Sequence, residues 1–371
     1  MSAIVPAGEG AGPSRSLPGL APLARHAEAV VIPVGALVVG LACFALFILA
    51  IGQSPIELFA LMWRGGFGTW FSLQNTLSHA SPLLLAGLCV ALPARLGLVV
   101  IGGEGAIVLG GVAAAVAGLA VGNASPFVGL PLMALAGAVV GGIWIGAVGA
   151  LRHFRAVNET ISSLLMAYIA IALMNQLVEG VLRDPASLNK PSTAPLPDAL
   201  RIGNMPGMEV HWGFAIGIVA CILSWLLIEK TRWGFAARIA GGNIRAAQIQ
   251  GLPVGALIVG FTALGGAWAG LGGMIEVSAV QGSANASLAA GYGYTGILVA
   301  FLSRQNPLAV IPVSILLGGI VASGDLIQMQ MDLPNATVLV LQGMIFIAIL
   351  ASDTLYGRFR FLNPDLWQGA R

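Results

Sequence analysis

The sequence predicts an all-α integral membrane protein of about ten transmembrane helices, arranged as an inverted five-plus-five repeat with broken helices at the midplane. Three observations carry this expectation: the scarcity of charge, the spacing of long apolar runs, and two glycine-rich interruptions at matching depth. Of 371 residues, 57% are hydrophobic and only 9% charged, and mean hydropathy is +0.91. A soluble domain carries about 25% charge. So little charged surface cannot cover so much apolar volume in water, which excludes a soluble enzyme, a disordered chain and a nucleic-acid binder. Fifty-one glycines with few aromatics suit closely packed transmembrane helices rather than a lipid-facing barrel.

The elements follow in order. Residues 1–28 read as a polar cytoplasmic tail rich in Gly and Pro. A bilayer core needs about 20 helical residues, and runs of that kind fall near 29–51, 81–96, 98–121, 126–150, 159–182, 212–229, 253–277, 291–303, 307–323 and 335–352. The first is too long for the apolar region of a signal peptide and reads as an uncleaved span. The membrane domain thus covers 29–352, with halves at about 29–182 and 212–352, and residues 353–371 form a second cytoplasmic tail. Ile56 to Trp63 should lie along the outer surface. The external loop 183–211 holds five prolines and should be ordered or semi-rigid. The internal loop 229–252 is basic. Of the 17 Lys and Arg, only Arg64, Arg183, Lys190 and Arg201 then fall outside, so the positive-inside rule sets both termini in the cytoplasm.

One interruption is Gly102-Gly103-Glu104-Gly105; the other is Gly291-Tyr292-Gly293-Tyr294-Thr295-Gly296. Each lies about nine residues from the inner face, roughly 13.5 Å at helical rise. They sit five spans apart and run in opposite directions, the layout of broken helices meeting at a central site. Glycine permits unwinding, and the freed backbone groups can face a water-filled path; the plainer alternative is glycine used only for helix packing. Glu104 is the one deep carboxylate. It marks either a functional site or a brace, hydrogen-bonded to backbone amides of the facing broken helix. Glu276 is expected at the solvated outer end of its span. Tyr168, Tyr292 and Tyr294 can stack on a sugar or base, or simply pack. Asn158 and Glu159 begin the fifth span at the inner face, as an inner gate or as a helix cap. The three cysteines fall in apolar runs, and no HExxH, CxxC or Walker A pattern occurs, so no metal or cofactor is expected on this chain.

In the internal loop, Gly241-Gly242-Asn243 should end one short helix and Ile244 to Gln250 should form another. On its own the loop can be a surface helix held by anionic membrane lipid. Its pattern, with Thr231, Gly234, Arg238, Gly242, Asn243, Arg245, Ala246, Ala247 and Gly251, resembles the coupling loop of bacterial ABC importer permeases for simple sugars and nucleosides, of the type that works with basic-membrane-protein nucleoside-binding lipoproteins. The likeness runs from about Pro55 to Ala351. It includes Thr76 to Gly87, Leu98 to Gly105, Asn158 to Ala170, Ala269 to Val277, Gly291 to Ala300, Asn306 to Leu308, and Gln342-Gly343.

The resemblance implies a permease of the bacterial inner membrane. It implies a cytoplasmic ABC ATPase carrying ATP and Mg, an extracytoplasmic solute-binding protein and a second permease subunit. The loop helix would dock on the ATPase, with Arg238 and Arg245 in ion pairs there; otherwise these arginines only obey the positive-inside rule. Departures stand at Val100, Gly103, Ala106 and Ala167, and three of them remove an amide that the family pattern carries. A heterodimer whose partner supplies those contacts is favoured over a homodimer; a different solute is the other reading. The rival function is a secondary carrier driven by an ion gradient, and a structural or receptor subunit stands behind it.

Overall fold

The apolar runs do become helices, and they start and stop where side chains can satisfy the open backbone groups of a helix end. The computed structural model describes residues 20–122, 125–187, 189–334 and 336–353, with side chains for 31–352 of these. Arg15, Arg358, Arg360 and Arg371, and the side chain of Arg25, lie outside the described residues. Helices run in the order α1 (Leu20–Ala50), α2 (Pro55–Gly66), α3 (Trp70–Ala94), α4 (Gly103–Val121), α5 (Pro126–Arg155), α6 (Glu159–Glu179), α7 (Gly213–Lys230), α8 (Arg232–Gly242), α9 (Ile244–Ile249), α10 (Val254–Ile275), α11 (Tyr292–Leu302), α12 (Pro307–Ala322), α13 (Gly324–Met331) and α14 (Ala336–Asp353). Among the described residues there is no sheet, only two isolated bridges, Ser192 with Asn285 and Asn204 with His211. Among the described residues eight helical stretches are long and apolar enough to cross a membrane, and two shorter apolar helices lie at 286–302 and 336–352.

The described residues divide into two compact units, one from the described residues up to Phe44 together with those from Gly343 on, and one from the described residues of Ala45–Gln342. In the first, Gly40 faces Ile345, where a Cβ would come within 2.8 Å of the Ile345 Cα. In the second, α10 lies centrally and packs on α5, α4 and α3. The α5–α10 seam is glycine on glycine: a Cβ on Gly270 would overlap the carbonyl of Gly137, and one on Gly266 that of Gly141. Close approach of two backbones needs small residues at the crossing.

Helix α1 starts at Leu20, within the stretch read as a polar tail, and α5 runs on to Arg155; two further boundaries differ from expectation and bear on the site. The second span begins at Trp70, eleven residues before Ser81, because its polar positions are buried and bonded. Thr69 caps it through the Ser72 amide at 3.0 Å, the Ser72 hydroxyl donates to the Arg64 carbonyl at 2.9 Å, and the Thr76 hydroxyl donates to the Gly66 carbonyl at 2.6 Å. The third span does not start at Leu98: residues 95–102 are non-helical, and α4 opens only at Gly103. Glu104 is therefore in the first turn of a helix, and its expected depth, counted at helical rise from Arg95, does not apply.

Residues 193–202 lie against the end of α10. That helix continues from Glu276 to Gln281 as a π-turn. The Ile202 amide donates to the Ser278 carbonyl at 3.1 Å, Leu196 to Gly282 at 2.8 Å and Thr193 to Ala284 at 3.0 Å. This cover buries Glu276 to 3% exposure, which corrects the solvated placement expected for it. Its partner is the Gln281 side-chain amide at 3.3 Å.

Candidate functional site

The two glycine-rich interruptions meet at Glu104. One carboxylate oxygen accepts from the Gly291 amide at 2.7 Å and the other from the Gly293 amide at 2.6 Å. These are the open donors at the N-terminus of α11, whose first residue is Tyr292 and which has no side-chain cap of its own. Glu104 also lies in the first turn of α4. Two helix N-termini therefore converge on one anion, the polarity that the helix dipole favours. Gly291 is at φ +86°, in the left-handed region that favours glycine, and a Cβ on Gly293 would overlap the backbone of Glu104. Gly296 packs as closely on Ala86, and Gly105 on Ala167 and Ala170.

The unwound stretch before α4 is held by α6. The Thr160 hydroxyl donates to the Val99 carbonyl at 2.9 Å, and the Ile101 amide donates to the Ser163 hydroxyl at 3.0 Å. Gly102 lets this stretch lie against the Ser163 carbonyl, which a Cβ would approach to 2.5 Å. These two freed groups are satisfied by protein. Val100 and Ala106 join Ala86, Cys89, Ile107, Ile145 and Ala269 in a buried apolar cluster, and Ala167 is fully buried. Where the family pattern carries amides, this chain has packing.

The tyrosines divide. Tyr292 is partly buried, and its hydroxyl lies 3.0 Å from His79 Nδ1, while the Thr295 hydroxyl donates to Gln342 Oε1 at 2.9 Å. Tyr168 and Tyr294 are instead exposed on the surface of the chain. His79 lies in the Thr76 to Gly87 stretch and Gln342 in the Gln342-Gly343 pair that carry the family resemblance, but neither was given a role at the site from the sequence.

In residues 229–252 the motif residues explain the local fold. The Thr231 hydroxyl accepts from the Gly234 amide at 3.2 Å and caps α8, and Asn243 Oδ1 accepts from the Ala246 amide at 3.0 Å and caps α9. Gly251, at φ +75°, ends α9. Ala236, Ala237, Ala240 and Ala247 are buried with Leu96, Ile228 and Leu257, seating both helices on the ends of the spans. A Cβ on Gly241 would overlap the Arg95 carbonyl. Gly242 has open space around it. Burial pushes the Arg95 guanidinium below the usual arginine range, Glu229 opposes this and Arg238 adds to it. Arg238 is engaged within the chain, 3.3 Å from Glu229 and 3.2 Å from the Ile228 carbonyl. Arg245 is exposed. Trp233, Phe235 and above all Ile249, 87% exposed, form an apolar outer surface that motif reading passed over.

Asn158 Oδ1 accepts from the Ile161 amide at 3.0 Å and caps α6. Glu159 lies 3.3 Å from Arg152 on the end of α5. Among the described residues no group of three or more His, Cys, Asp or Glu is placed to hold a metal.

A family model described as branched-chain amino acid transport system / permease component matches residues 72–350. A glucose ABC transporter permease protein, TsgB13 of Haloferax volcanii, is 32% identical over 340 residues, covering 88% of this chain and 88% of that protein. The guanosine ABC transporter permease protein NupP of Bacillus subtilis is 29% identical, covering 89% of this chain and 95% of that protein. A probable riboflavin import permease protein, RfuC of Treponema pallidum, is 24% identical, covering 85% and 84%.

Proposed function

We infer, from the premise that this chain belongs to the branched-chain amino acid transport system permease family and is the permease subunit of an ATP-driven importer, that its solute is a nucleoside or a related simple sugar. The observation that carries this is the similarity, over nearly nine-tenths of the chain, to permeases named for glucose and for guanosine. Those two solutes share an uncharged, hydroxyl-rich ring. Family membership displaces the ion-gradient carrier as a reading of this chain.

In this reading about ten spans form the inverted five-plus-five repeat, both termini are cytoplasmic and the membrane is the bacterial inner one. ATP and Mg act on a separate cytoplasmic ATPase. A solute-binding protein delivers solute at the outer face, and a second, different permease completes the path. The broken helices around Gly102 to Gly105 and Gly291 to Gly296, with Tyr168, Tyr292, Tyr294 and Thr295, border that path; the exposed Tyr168 and Tyr294 are available to a partner subunit. Residues 229–252 couple to the ATPase through Arg245 and the exposed face of α9. Asn158 and Glu159, joined to α5 through Arg152, form the inner gate.

Glu104 serves as a brace here, because both of its oxygens are committed to the α11 amides. The test is uptake by proteoliposomes holding the permease with its cognate ATPase, binding protein and second permease. Labelled guanosine or glucose should accumulate with ATP and not without it. Accumulation of neither solute, with the ATPase active, would remove the proposed class.

A further inference from the structure

Between α3, α11 and α14 lies a cavity of 310 Å³, at the small end of ligand pockets (about 300–1,000 Å³). Four polar side chains face it: His79, Tyr292, Thr295 and Gln342; no Lys, Arg, Asp or Glu lines it. They are pre-arranged as two bonded pairs, His79 with Tyr292 and Thr295 with Gln342. Tyr292 and Thr295 are three apart on α11 and so share one face, which is fixed because Glu104 caps that helix.

Gln342 is 6% exposed, and its Nε2 has no partner. The Thr295 proton goes to Gln342 Oε1, which leaves the amide N–H groups open. If the amide is turned round, Nε2 serves the hydroxyl and the carbonyl is left open instead. In either orientation one end of a buried amide in the cavity wall is left unpaired, and a buried polar group in that state calls for an occupant. Apolar side chains such as Val321 and Leu339 complete the wall.

We propose that this cavity is a solute-recognition site inside the permease, taking the hydroxyl-bearing ring of an uncharged sugar or nucleoside through Gln342, Thr295 and His79. The proposal rests on the solute class inferred above. A charged ligand would meet no countercharge there, whereas a hydroxyl both donates and accepts and so suits either end of the amide.

The experiment uses the reconstituted importer with saturating loaded binding protein, so that affinity in the binding protein does not set the rate. Labelled guanosine and glucose are the probes, and solute taken up per ATP hydrolysed is the readout. Gln342→Leu should lower that ratio about tenfold for the carried solute, and the near-isosteric Thr295→Val at least threefold. If Gln342→Leu fails to assemble, as judged by size exclusion, Thr295→Val decides alone. A ratio equal to wild type in the assembled variants overturns the site while leaving the solute class intact. Transport of neither probe by the wild-type importer overturns the class, and the site as stated with it.

Discussion

Removing the Glu104 carboxylate should unfasten the start of α11. The structure gives two charge-assisted hydrogen bonds, 2.7 Å to Gly291 and 2.6 Å to Gly293, each worth about 1.5–3 kcal/mol. Glu104→Ala loses both and leaves two buried amides open. Against that stands the several-kcal/mol penalty of burying a charge, which the alanine escapes. The net loss expected is about 2–4 kcal/mol. Glu104→Gln keeps one acceptor but turns an N–H toward a backbone N–H, for a loss of about 1–2 kcal/mol. Thermal unfolding of the purified, detergent-solubilised importer, followed by tryptophan fluorescence, should rank the proteins wild type, Gln, Ala in falling midpoint. Uptake should fall in the same order. A glutamine variant that melts with the wild type yet loses uptake a hundredfold would refute the bracing argument and make the carboxylate a participant in transport.

Other substitutions follow from the same contacts. Gly241→Ala drives a Cβ into the Arg95 carbonyl and should displace the end of α8, lowering ATPase pull-down by the permease at least tenfold. Ile249→Asp changes a residue that is 87% exposed, so the melting point should move by less than about 0.5 kcal/mol equivalent while ATPase association weakens at least tenfold; Arg238→Gln, whose charge is already paired with Glu229, should weaken it less than Arg245→Gln does. His211 precedes α7 and is buried beside the Ser78 backbone and His79; burial holds its pKa below the ordinary histidine value, Ser78 opposes this and His79 adds to it. The folded ring is thus neutral where the unfolded ring begins to take a proton, at about 6.5. Stability should be full above that pH and fall as pH drops toward the folded value. A melting series from pH 8 to 5 should show this decline in the wild type and a flatter one in His211→Gln.

Hydropathy and glycine spacing made most of the architecture legible. Each apolar run found a helix, and the Gly241-Gly242-Asn243 break between α8 and α9 fell where Asn243 caps the second helix. What stayed hidden was polar chemistry turned inward. Ser72, Gln74 and Thr76 read as loop, yet they are buried in α3, where Gln74 accepts from the Glu209 amide and Ser72 and Thr76 donate to carbonyls at the end of α2. Glu276 read as solvated because a one-dimensional count cannot show Thr193, Leu196 and Ile202, from far earlier in the chain, bonding to the residues just after it. At Glu104 two roles stood side by side in the sequence; the structure adds that both carboxylate oxygens accept from glycine amides, which supports the proposed brace. His79 and Gln342 belong to no periodic pattern, and only the third dimension puts them on one cavity.

The eleven residues of α11 also bear on how the chain enters a bilayer. At about 1.5 Å per residue the helix reaches roughly half of a 30 Å core. Insertion machinery that selects spans by length and apolarity has little reason to admit it alone. Within the fold it packs on α3, with α4 and α12 beside it, and its N-terminal amides are met by the Glu104 carboxylate. That anion was synthesised 187 residues before Gly291. The junction thus joins residues made far apart in synthesis, and it can close only after Gly293 has been added.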